Sequence, residues 1–490
     1  MKRIQWLIAA VLIIGGCAPT PPEQAIVNDA ASALGGAEKI QAVNTLVAEV
    51  TGEQGNFGQG LTPESPLPIF KVSEGKLAFD YVQTRWQTDV TRTPTFVTAN
   101  TAPQKQIQGL DGSIAYNVAA NGTATRASEE VAKDRLLTMY HYPVGILRAA
   151  LTQGSQLANP RKEGNDDVVD ITTAQGHKLT LFVDSTTKLP SKVVSTTANN
   201  ANWPIGDAVA ETTFADYKET DGLKLPGRIT SKLDSKTTAD FQVAKSTVNG
   251  DTGDLAAPEA AKSATAPALT AMVTAEEVSK GIWYLAGQTH HSILVEFADH
   301  LALIEAPQNE VRVSAVLDKV KELKPDKPLR YVVNTHHHFD HSGGLRRALA
   351  EDVTIITHAA NKAFYEEIAK RPATVLPDKV SPKAAKVEGI SDKYELKDST
   401  RTVEIYPIPN PHSDSMLIVY FPAERLLVEA DLYTPPTPGN PPPPGFPFAP
   451  SVVQAVQKLG LRPARLMPIH GFIVPYSDLE AAAKGAVKSS

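Results

Sequence analysis

The stretch Thr335-His-His-His-Phe-Asp-His-Ser-Gly-Gly344 determines how the C-terminal half of this 490-residue chain is interpreted. The apolar run at 331–333 predicts a buried strand in front of it, and Gly343-Gly344 predicts a turn into a helix. Positions 336 and 338 alternate and so point the same way from an extended segment, whereas 340 and 341 can face a second point. Four side chains that can bind metal therefore lie within six residues, namely His336, His338, Asp340 and His341.

Such a cluster predicts metal binding rather than a solvated histidine-rich loop. Buried histidines and aspartates lose their hydration at a cost, and a cation offsets that cost. The adjacent His337 is expected to point away from the ions.

Three later strand-like runs each end at one residue that can bind metal. Residues 403–408 lead to His412, 426–430 to Asp431, and 465–469 to His470. In layered α/β folds, functional groups gather where strands give way to loops. We therefore predict one ion held by His336, His338 and His412, a second held by Asp340, His341 and His470, and Asp431 as a bridge. Three protein ligands per ion leave room for water, as in catalytic sites.

The surrounding elements predict an α/β domain. Strands are expected at 281–285, 292–297 and 301–304, and helical spacing at 311–323. The motif Thr335-His-x-His-x-Asp-His-x-Gly-Gly344, with the three later residues and Pro468-Ile-His-Gly471, resembles the metallo-β-lactamase superfamily over about residues 272–480. The resemblance implies an αββα sandwich with a dinuclear site, usually zinc, at one edge of the sheets.

Within that superfamily, Asp431 favours one group of activities. True β-lactamases of this fold generally lack a bridging aspartate, so the chain looks more like glyoxalase II, lactonases and related hydrolases. Lactonases have a tyrosine three residues after this aspartate, whereas Tyr433 lies two after it. Both a catalytic role for Tyr433, as a transition-state donor, and a packing role remain open.

We predict a metal-dependent hydrolase with two divalent ions, expected to be Zn²⁺. Hydroxide held by the ions would attack the carbonyl of an ester, lactone, thioester or related amide in a small-molecule substrate, and Asp340 would act as a catalytic residue that orients it. β-Lactamase or small phosphodiesterase activity at the same site is an alternative. A non-catalytic envelope lipoprotein that carries lipid is another.

Two further features border the predicted site. His290 and His291 precede a strand and are candidates for substrate binding, with a surface pair as the alternative. The proline-rich run 435–450, which includes Phe446 and Phe448, is either an apolar wall for substrate or a connector.

The first residues are typical of a bacterial lipoprotein. An apolar run at 6–14 is about half of the ~20 residues that span a membrane, and Ile14-Gly-Gly-Cys17 resembles a lipobox. Residues 1–17 are therefore predicted to be a lipoprotein signal peptide with lipidation at Cys17, a plain signal peptide being the alternative. Ala18 after the cysteine favours, by resemblance, a periplasmic lipoprotein on the outer membrane of a Gram-negative bacterium. With a formal net charge of -6 and no basic stripe, nucleic acid is not expected as a partner.

The rest of the N-terminal half predicts a β-rich domain. After a tether at 18–25 and a helix at 26–41, strand-like alternation recurs through residue 250. Segments 33–40 and 214–226 loosely resemble the half-barrel of lipoprotein-carrier proteins. Residues 251–271, dominated by Ala, Pro, Thr and Ser, predict a linker to the hydrolase domain at 272–490.

Overall fold

The computed structural model describes residues 20–97, 101–198, 205–267, 271–379, 384–437 and 446–485. The predicted signal peptide and Cys17 lie outside the described residues. Among the residues that the structure describes, no helix is both long and apolar enough to cross a bilayer.

The N-terminal half is built on a large antiparallel sheet. Within the described residues, thirteen strands form this sheet in the order β6-β5-β4-β3-β2-β1-β15-β14-β11-β10-β9-β8-β7, and β12 and β13 form a separate pair. The strands are β1 (Thr45–Gly55), β2 (Ile69–Asp80), β3 (Arg85–Pro94), β4 (Gln104–Asp111), β5 (Ile114–Val118), β6 (Ala124–Arg126), β7 (Gln156–Glu163), β8 (Asp166–Thr172), β9 (Lys178–Asp184), β10 (Pro190–Thr197), β11 (Ala208–Ala215), β12 (Lys218–Thr220), β13 (Leu223–Leu225), β14 (Arg228–Leu233) and β15 (Lys236–Val248). This confirms the predicted β-rich domain.

In the described part of the chain, five helices pack on this sheet: the first four share one core, and the fifth packs with Tyr116 in a separate cluster. They are α1 (Pro22–Leu34), α2 (Ala37–Gln41), α3 (Glu129–Tyr140), α4 (Pro143–Leu151) and α5 (Glu259–Ser263). Val27, Leu34 and Ile146 are buried in this core. The helix predicted at 26–41 is two helices, because Gly35 has φ of 138° and a Cβ there would lie 2.4 Å from the carbonyl oxygen of Gly222. Since α1 begins at Pro22, the predicted tether is shorter than 18–25.

The segment predicted as a linker packs against the sheet over part of its length. Leu255 is buried with Val47 and Ala78, and its carbonyl accepts a hydrogen bond of 3.1 Å from the Tyr116 hydroxyl. Ala261 on α5 is also buried. Alanine and leucine side chains fit against the apolar strand faces, so the composition that predicted a free linker also permits packing.

Two sheets face each other in the C-terminal half. The first has the order β16-β17-β18-β19-β20-β21-β22 and the second β23-β24-β25-β26-β27-β28. The strands are β16 (Thr274–Ser279), β17 (Ile282–Ala286), β18 (Ser292–Glu296), β19 (Leu301–Ile304), β20 (Leu329–Val333), β21 (Thr354–His358), β22 (Lys386–Ile390), β23 (Tyr394–Lys397), β24 (Thr402–Pro407), β25 (Leu417–Phe421), β26 (Leu426–Glu429), β27 (Arg465–Pro468) and β28 (Val474–Pro475).

Helices cover the outer face of each sheet. They are α6 (Glu310–Leu323), α7 (Phe339–Ser342), α8 (Leu345–Leu349), α9 (Lys362–Ile368), α10 (Ala449–Lys458) and α11 (Tyr476–Gly485). Ile293 faces the second sheet, whereas its neighbour Leu294 packs against the α6 layer, as the alternation of a strand requires. Val452 of α10 belongs to a third apolar cluster, on the second sheet. This layering is the predicted αββα sandwich, which is confirmed.

The two halves pack directly on each other. Ile205, Ala208 and Leu233 of the N-terminal half lie in the apolar cluster formed by the first C-terminal sheet and its helices. An ion pair of 2.7 Å joins Arg371 to Asp234. The interface therefore combines apolar burial with a charged contact.

Candidate metal centre

Parallel strands bring the predicted ligands to one edge of the sandwich. β19 pairs in parallel with β20, and β26 with β27, so their carboxyl ends meet at that edge. His336 follows β20, Asp431 follows β26 and His470 follows β27. The local sequence therefore determines which residue ends each strand, and the sheet sets their separation.

The first cluster contains three histidines and one carboxylate. The ligand atoms of His336, His338, His412 and Asp431 all lie within 4.8 Å of one another. Nε2 of His412 is 2.9 Å from Oδ2 of Asp431, and Nε2 of His336 is 3.2 Å from the same oxygen. The two histidines next to β20 are buried, and His412 keeps 15% of its side-chain exposure. The cluster is thus open on the His412 side.

The second cluster is adjacent and also contains three histidines and one carboxylate. It groups His290, Asp340, His341 and His470 within the same 4.8 Å limit. Nε2 of His470 lies 3.1 Å from Nε2 of His341, and Nε2 of His341 lies 3.6 Å from Oδ2 of Asp340. The structure therefore brings together the seven residues predicted as ligands and adds His290 to them.

Asp431 lies between the two clusters. Its Oδ2 faces His336 and His412, while its Oδ1 is 3.1 Å from Nε2 of His341 and 2.7 Å from Nε2 of His470. Its backbone has φ of 63°, a region that non-glycine residues adopt at a cost and that is frequent at functional sites. One carboxylate thus presents a separate oxygen to each cluster, as a bridging ligand requires.

The buried Glu429 shapes the turn that carries Asp431. Its Oε2 accepts hydrogen bonds from the backbone N–H groups of Leu432, at 3.0 Å, and Tyr433, at 3.2 Å. Burial raises the pKa of Glu429 to about 8, although these two hydrogen bonds oppose the shift. Glu429 was not among the predicted site residues, because it lies within the apolar run at 426–430.

The donor atoms of the first cluster fit a divalent cation. Nδ1 of His338 is buried and makes no hydrogen bond to any described residue, whereas Nε2 of His336 faces Oδ2 of Asp431 at 3.2 Å. Four donors around a tetrahedral ion, each at about 2.1 Å, lie roughly 3.4 Å apart. The separations of 2.7 to 3.6 Å in the two clusters are close to that value. A cation would give Nδ1 of His338 the partner that no described residue supplies.

The electrostatics of the two clusters differ. Burial and the charge on His341 lower the pKa of His336 to about 3, and burial lowers that of His338 as well. Burial alone would also lower the pKa of His341, but the carboxylates of Asp431 and Asp340 raise it well above its ordinary value. His336 and His338 are thus neutral imidazoles, whereas His341 carries a positive charge that faces Asp431 and Asp340 and that a metal ion can replace.

A buried carboxylate orients His341. Glu305 is fully buried, its Oε2 lies 2.8 Å from Nδ1 of His341, and its Oε1 accepts the backbone N–H of Thr335 at 2.6 Å. Carboxylates in this position fix the histidine tautomer that leaves Nε2 free for metal. Glu305 was not among the predicted site residues, although it directly follows β19 and so obeys the same strand-end pattern as Asp431 and His470.

The histidine pair at 290 and 291 separates into two roles. Nε2 of His290 is 3.1 Å from Oδ2 of Asp340, and its ring centroid lies 4.1 Å from that of His470. Nε2 of His291 is 3.0 Å from the carbonyl oxygen of Gly471, and its Nδ1 accepts the N–H of Gly287. His290 therefore belongs to the second cluster. His291 is fixed to the backbone and is not an exposed surface residue.

Tyr433 lies in the apolar core between the second sheet and its helices. It is buried, and its ring centroid is 4.9 Å from that of Phe446. Burial raises the pKa of its hydroxyl. This environment favours the packing role over the role of a transition-state donor.

The proline-rich run contacts the centre at one of its aromatic residues. The ring of Phe448 lies 5.0 Å from that of His412. Residues 438–445 of this run lie outside the described residues. His337 is buried, and its Nδ1 is 3.0 Å from the Ser415 hydroxyl, so it points away from the clusters.

Comparisons with known proteins give a family match and several similar solved structures. Residues 289–477 match the family profile described as the metallo-beta-lactamase superfamily. The chain is similar to a solved metallo-beta-lactamase from Pontibacter korlensis, with 16% identity and a TM-score of 0.35, over 44% of this chain and 98% of that one. It is similar to the metallo-beta-lactamase FIM-1 from Pseudomonas aeruginosa in its mono-zinc form, with 16% identity and a TM-score of 0.34, over 43% of this chain and 93% of that one. It is also similar to rubredoxin oxygen:oxidoreductase from Desulfovibrio gigas, with 18% identity and a TM-score of 0.35, over 43% of this chain and 60% of that one. No curated protein matches the chain.

Proposed function

Since the C-terminal domain belongs to the metallo-β-lactamase superfamily by its fold and its family match, we propose that this chain is a metal-dependent hydrolase of small acyl compounds. The position of Asp431 carries the proposal. Its two oxygens face different groups of nitrogen donors, at 2.9 Å from His412 and 2.7 Å from His470. This arrangement supports two neighbouring divalent ions, for which Zn²⁺ is our expectation.

The chemistry follows from the donor set and its surroundings. When bound, divalent ions would supply Lewis acidity and would make a water molecule acidic enough to act as hydroxide near neutral pH. Burial would raise the pKa of Asp340, but the charge on His341 and the hydrogen bond from His290 lower it below its ordinary value. Asp340 is therefore an ionised carboxylate, and it can orient the nucleophile by accepting a hydrogen bond from it. The proposed substrate is a carbonyl compound, namely an ester, lactone, thioester or related amide.

A surface groove supports access for a small molecule. It has a volume of about 940 Å³, begins at His470 and is lined among others by Thr289, Thr434 and Phe472. Phe472 is 43% exposed, so the groove offers apolar surface close to a ligand. A groove of this size is in the usual range for small-molecule sites.

The alternative of a lipid carrier receives less support. The cavity of about 500 Å³ against the N-terminal sheet is lined largely by polar and charged side chains, among them Arg92, Asp134, His141, Glu211 and Lys232. A lipid tail in that cavity would remove these groups from water without replacing their hydrogen bonds.

A hydrolysis screen tests the proposal. Zinc-loaded protein is assayed against lactones, carboxylic esters, thioesters, β-lactams and phosphodiesters, with zinc content measured on the same samples. We expect turnover of at least one acyl class and its loss in Asp431→Asn, which removes the bridging charge. Asp392→Asn, an exposed residue of the same domain, is the matched control. Hydrolysis of phosphodiesters alone, or equal activity in Asp431→Asn, would refute the proposed chemistry.

We also propose that the protein is a periplasmic lipoprotein attached through Cys17. The support is the sequence of residues 1–17 alone. Membrane attachment would place the hydrolase at the envelope, where small diffusible substrates reach it.

A further inference from the structure

A loop of the N-terminal half reaches the proposed metal centre. It connects β1 to β2, spans residues 56–68, and is called the β1–β2 loop below. The strands are paired up to Gly55 and Ile69, so the loop projects from the end of a hairpin. Its turn is held by hydrogen bonds between Thr62 and Ser65. Gly58 and Gly60 are buried, although they lie in a connecting loop.

The main contact of this loop is with His338. The carbonyl oxygen of Gly60 lies 2.9 Å from Nε2 of His338, across 278 residues of sequence. A carbonyl oxygen accepts hydrogen bonds and cannot donate them. Nε2 of a neutral His338 must therefore carry the proton, which leaves a lone pair on Nδ1. Nδ1 is the buried nitrogen that makes no hydrogen bond to any described residue and that faces the first cluster.

Further contacts join the same loop to the other ligand segments. The Gln59 side chain donates a hydrogen bond of 3.3 Å to Oδ1 of Asp340, and the Gly58 carbonyl accepts the N–H of Phe339 at 3.2 Å. The Leu61 carbonyl accepts the N–H of Asp414, two residues after His412, at 2.9 Å. One loop thus contacts two of the three chain segments that supply the first cluster, those that carry His338 and His412.

The domain interface holds the loop in this position. Phe57, in the loop, packs on the apolar cluster that contains Ile205 and Leu233 together with helices of the C-terminal domain. The Thr374 hydroxyl donates a hydrogen bond of 2.6 Å to Oδ2 of Asp207 at the same interface. These contacts link the loop and its strands to the C-terminal domain, so the position of the loop beside His338 depends on the domain interface.

We propose that the β1–β2 loop is a working part of the hydrolase site: the Gly60 carbonyl fixes the tautomer and orientation of His338, and the Gln59 amide positions Asp340. This inference rests on the proposed function and gives the N-terminal domain a role in it. Both are positioning residues, because they act through groups that face the ions. Outer partners of this kind typically change metal affinity or activity by about 10–100-fold.

The test uses full-length variants. In the first, residues 57–67 are replaced by Asn-Gly, which closes β1 and β2 with a two-residue hairpin turn. The second is Gly60→Ala, whose Cβ would lie 2.9 Å from the Thr62 carbonyl oxygen and would displace the loop. The control is Gly227→Ala, which meets the Asp216 carbonyl oxygen at 2.4 Å in the same domain but outside this loop.

Each variant is compared with wild type by its zinc affinity and by the protonation of the His338 ring. Zinc affinity is obtained by competition with a chromophoric chelator, and the protonated ring nitrogen of His338 is identified in ¹⁵N-histidine spectra of the metal-free protein. We expect the loop replacement to weaken zinc binding by about 10–100-fold, Gly60→Ala to weaken it less, and Gly227→Ala to bind as wild type. The Nε2–H signal of His338 should be present in wild type and lost in the loop replacement. Gln59→Ala should lower kcat/KM.

The outcomes separate this inference from the proposed function. Wild-type zinc affinity and kcat/KM in the folded loop replacement would overturn the inference and leave the hydrolase proposal standing. A proton on Nδ1 of His338 in the wild type would also overturn it. If the wild type bound no zinc at all, the proposed function would fail first, and the loop would have no site to serve.

Discussion

The substitution Glu305→Gln tests whether a buried carboxylate sets the metal-binding form of His341. Glu305 has two acceptor oxygens, and each is used: one by the N–H of Thr335 at 2.6 Å and one by Nδ1 of His341 at 2.8 Å. Glutamine keeps the size of the side chain but offers only one acceptor oxygen. The Thr335 amide cannot move its proton, whereas the imidazole of His341 can. The carbonyl of the new amide should therefore face Thr335, and its NH₂ group should face His341.

That rearrangement would move the His341 proton to the nitrogen that faces Asp431. Nε2, which lies 3.1 Å from Oδ1 of Asp431, would then lack the lone pair that a metal needs. Losses of about 10–100-fold are typical for such partners, which corresponds to roughly 1.4 to 2.8 kcal/mol of binding free energy at 1.4 kcal/mol per factor of ten. We expect zinc affinity to fall in that range and kcat to fall with zinc occupancy.

Chelator competition measures the affinity, with Glu296→Gln as the control. Glu296 lies on β18 and pairs with Lys324 and Lys327, so the same chemical change there leaves the centre intact. Near-UV circular dichroism checks that each variant keeps its tertiary packing. Zinc affinity in Glu305→Gln equal to that of wild type and Glu296→Gln would refute the tautomer argument.

Four further outcomes are expected. His290→Ala should weaken zinc binding at the second cluster while leaving the first, so titration should show one tight equivalent; two unchanged equivalents would return His290 to a substrate role. Tyr433→Phe should retain kcat, because its ring packs in the core; a loss of about 100-fold or more in kcat would restore the role of donor. Burial lowers the pKa of His341, but Asp431 and Asp340 raise it above its ordinary value. In metal-free protein, protonated His341 therefore stabilises the fold fully below the unfolded pKa of about 6.5, and this stabilisation is lost as pH rises through the folded pKa. Zinc replaces that proton, so zinc affinity should increase with pH while the Tm of metal-free protein decreases. Equal slopes of Tm against pH for the zinc-loaded and metal-free protein would contradict this. Cys17→Ser should move the protein from the membrane fraction to the soluble fraction, and unchanged fractionation would argue for a plain signal peptide.

The sequence alone identified the residues that can carry the chemistry. Ligand residue types follow strand-like runs, and a run of alternating or continuous apolar residues is a local property that can be recognised without neighbours. For this reason His336, His412 and His470 were correctly placed at strand ends. The helix at Glu310–Leu323 was predicted to within one residue at its start for the same reason.

Other features depended on contacts between distant parts of the chain. Glu305 was visible by the strand-end rule but was not recognised, because a lone glutamate after a strand is usually a solvated residue. His290 joined the second cluster, and His291 did not, because the turn before β18 directs adjacent side chains differently. Tyr433 became a core residue because the helices of the second sheet cover it.

Residue type and local period in the sequence thus predicted the candidate ligands and an α/β layout, and the resemblance of the motif to a known superfamily implied the αββα layers. Only the tertiary structure decided which second domain borders the centre. The contact between Gly60 and His338 depends on the docking of two domains and on the length of one loop, and neither leaves a periodic signal in the residues that make it. A glycine carbonyl can hold a ligand histidine without its own side chain, so residue type alone could not reveal it.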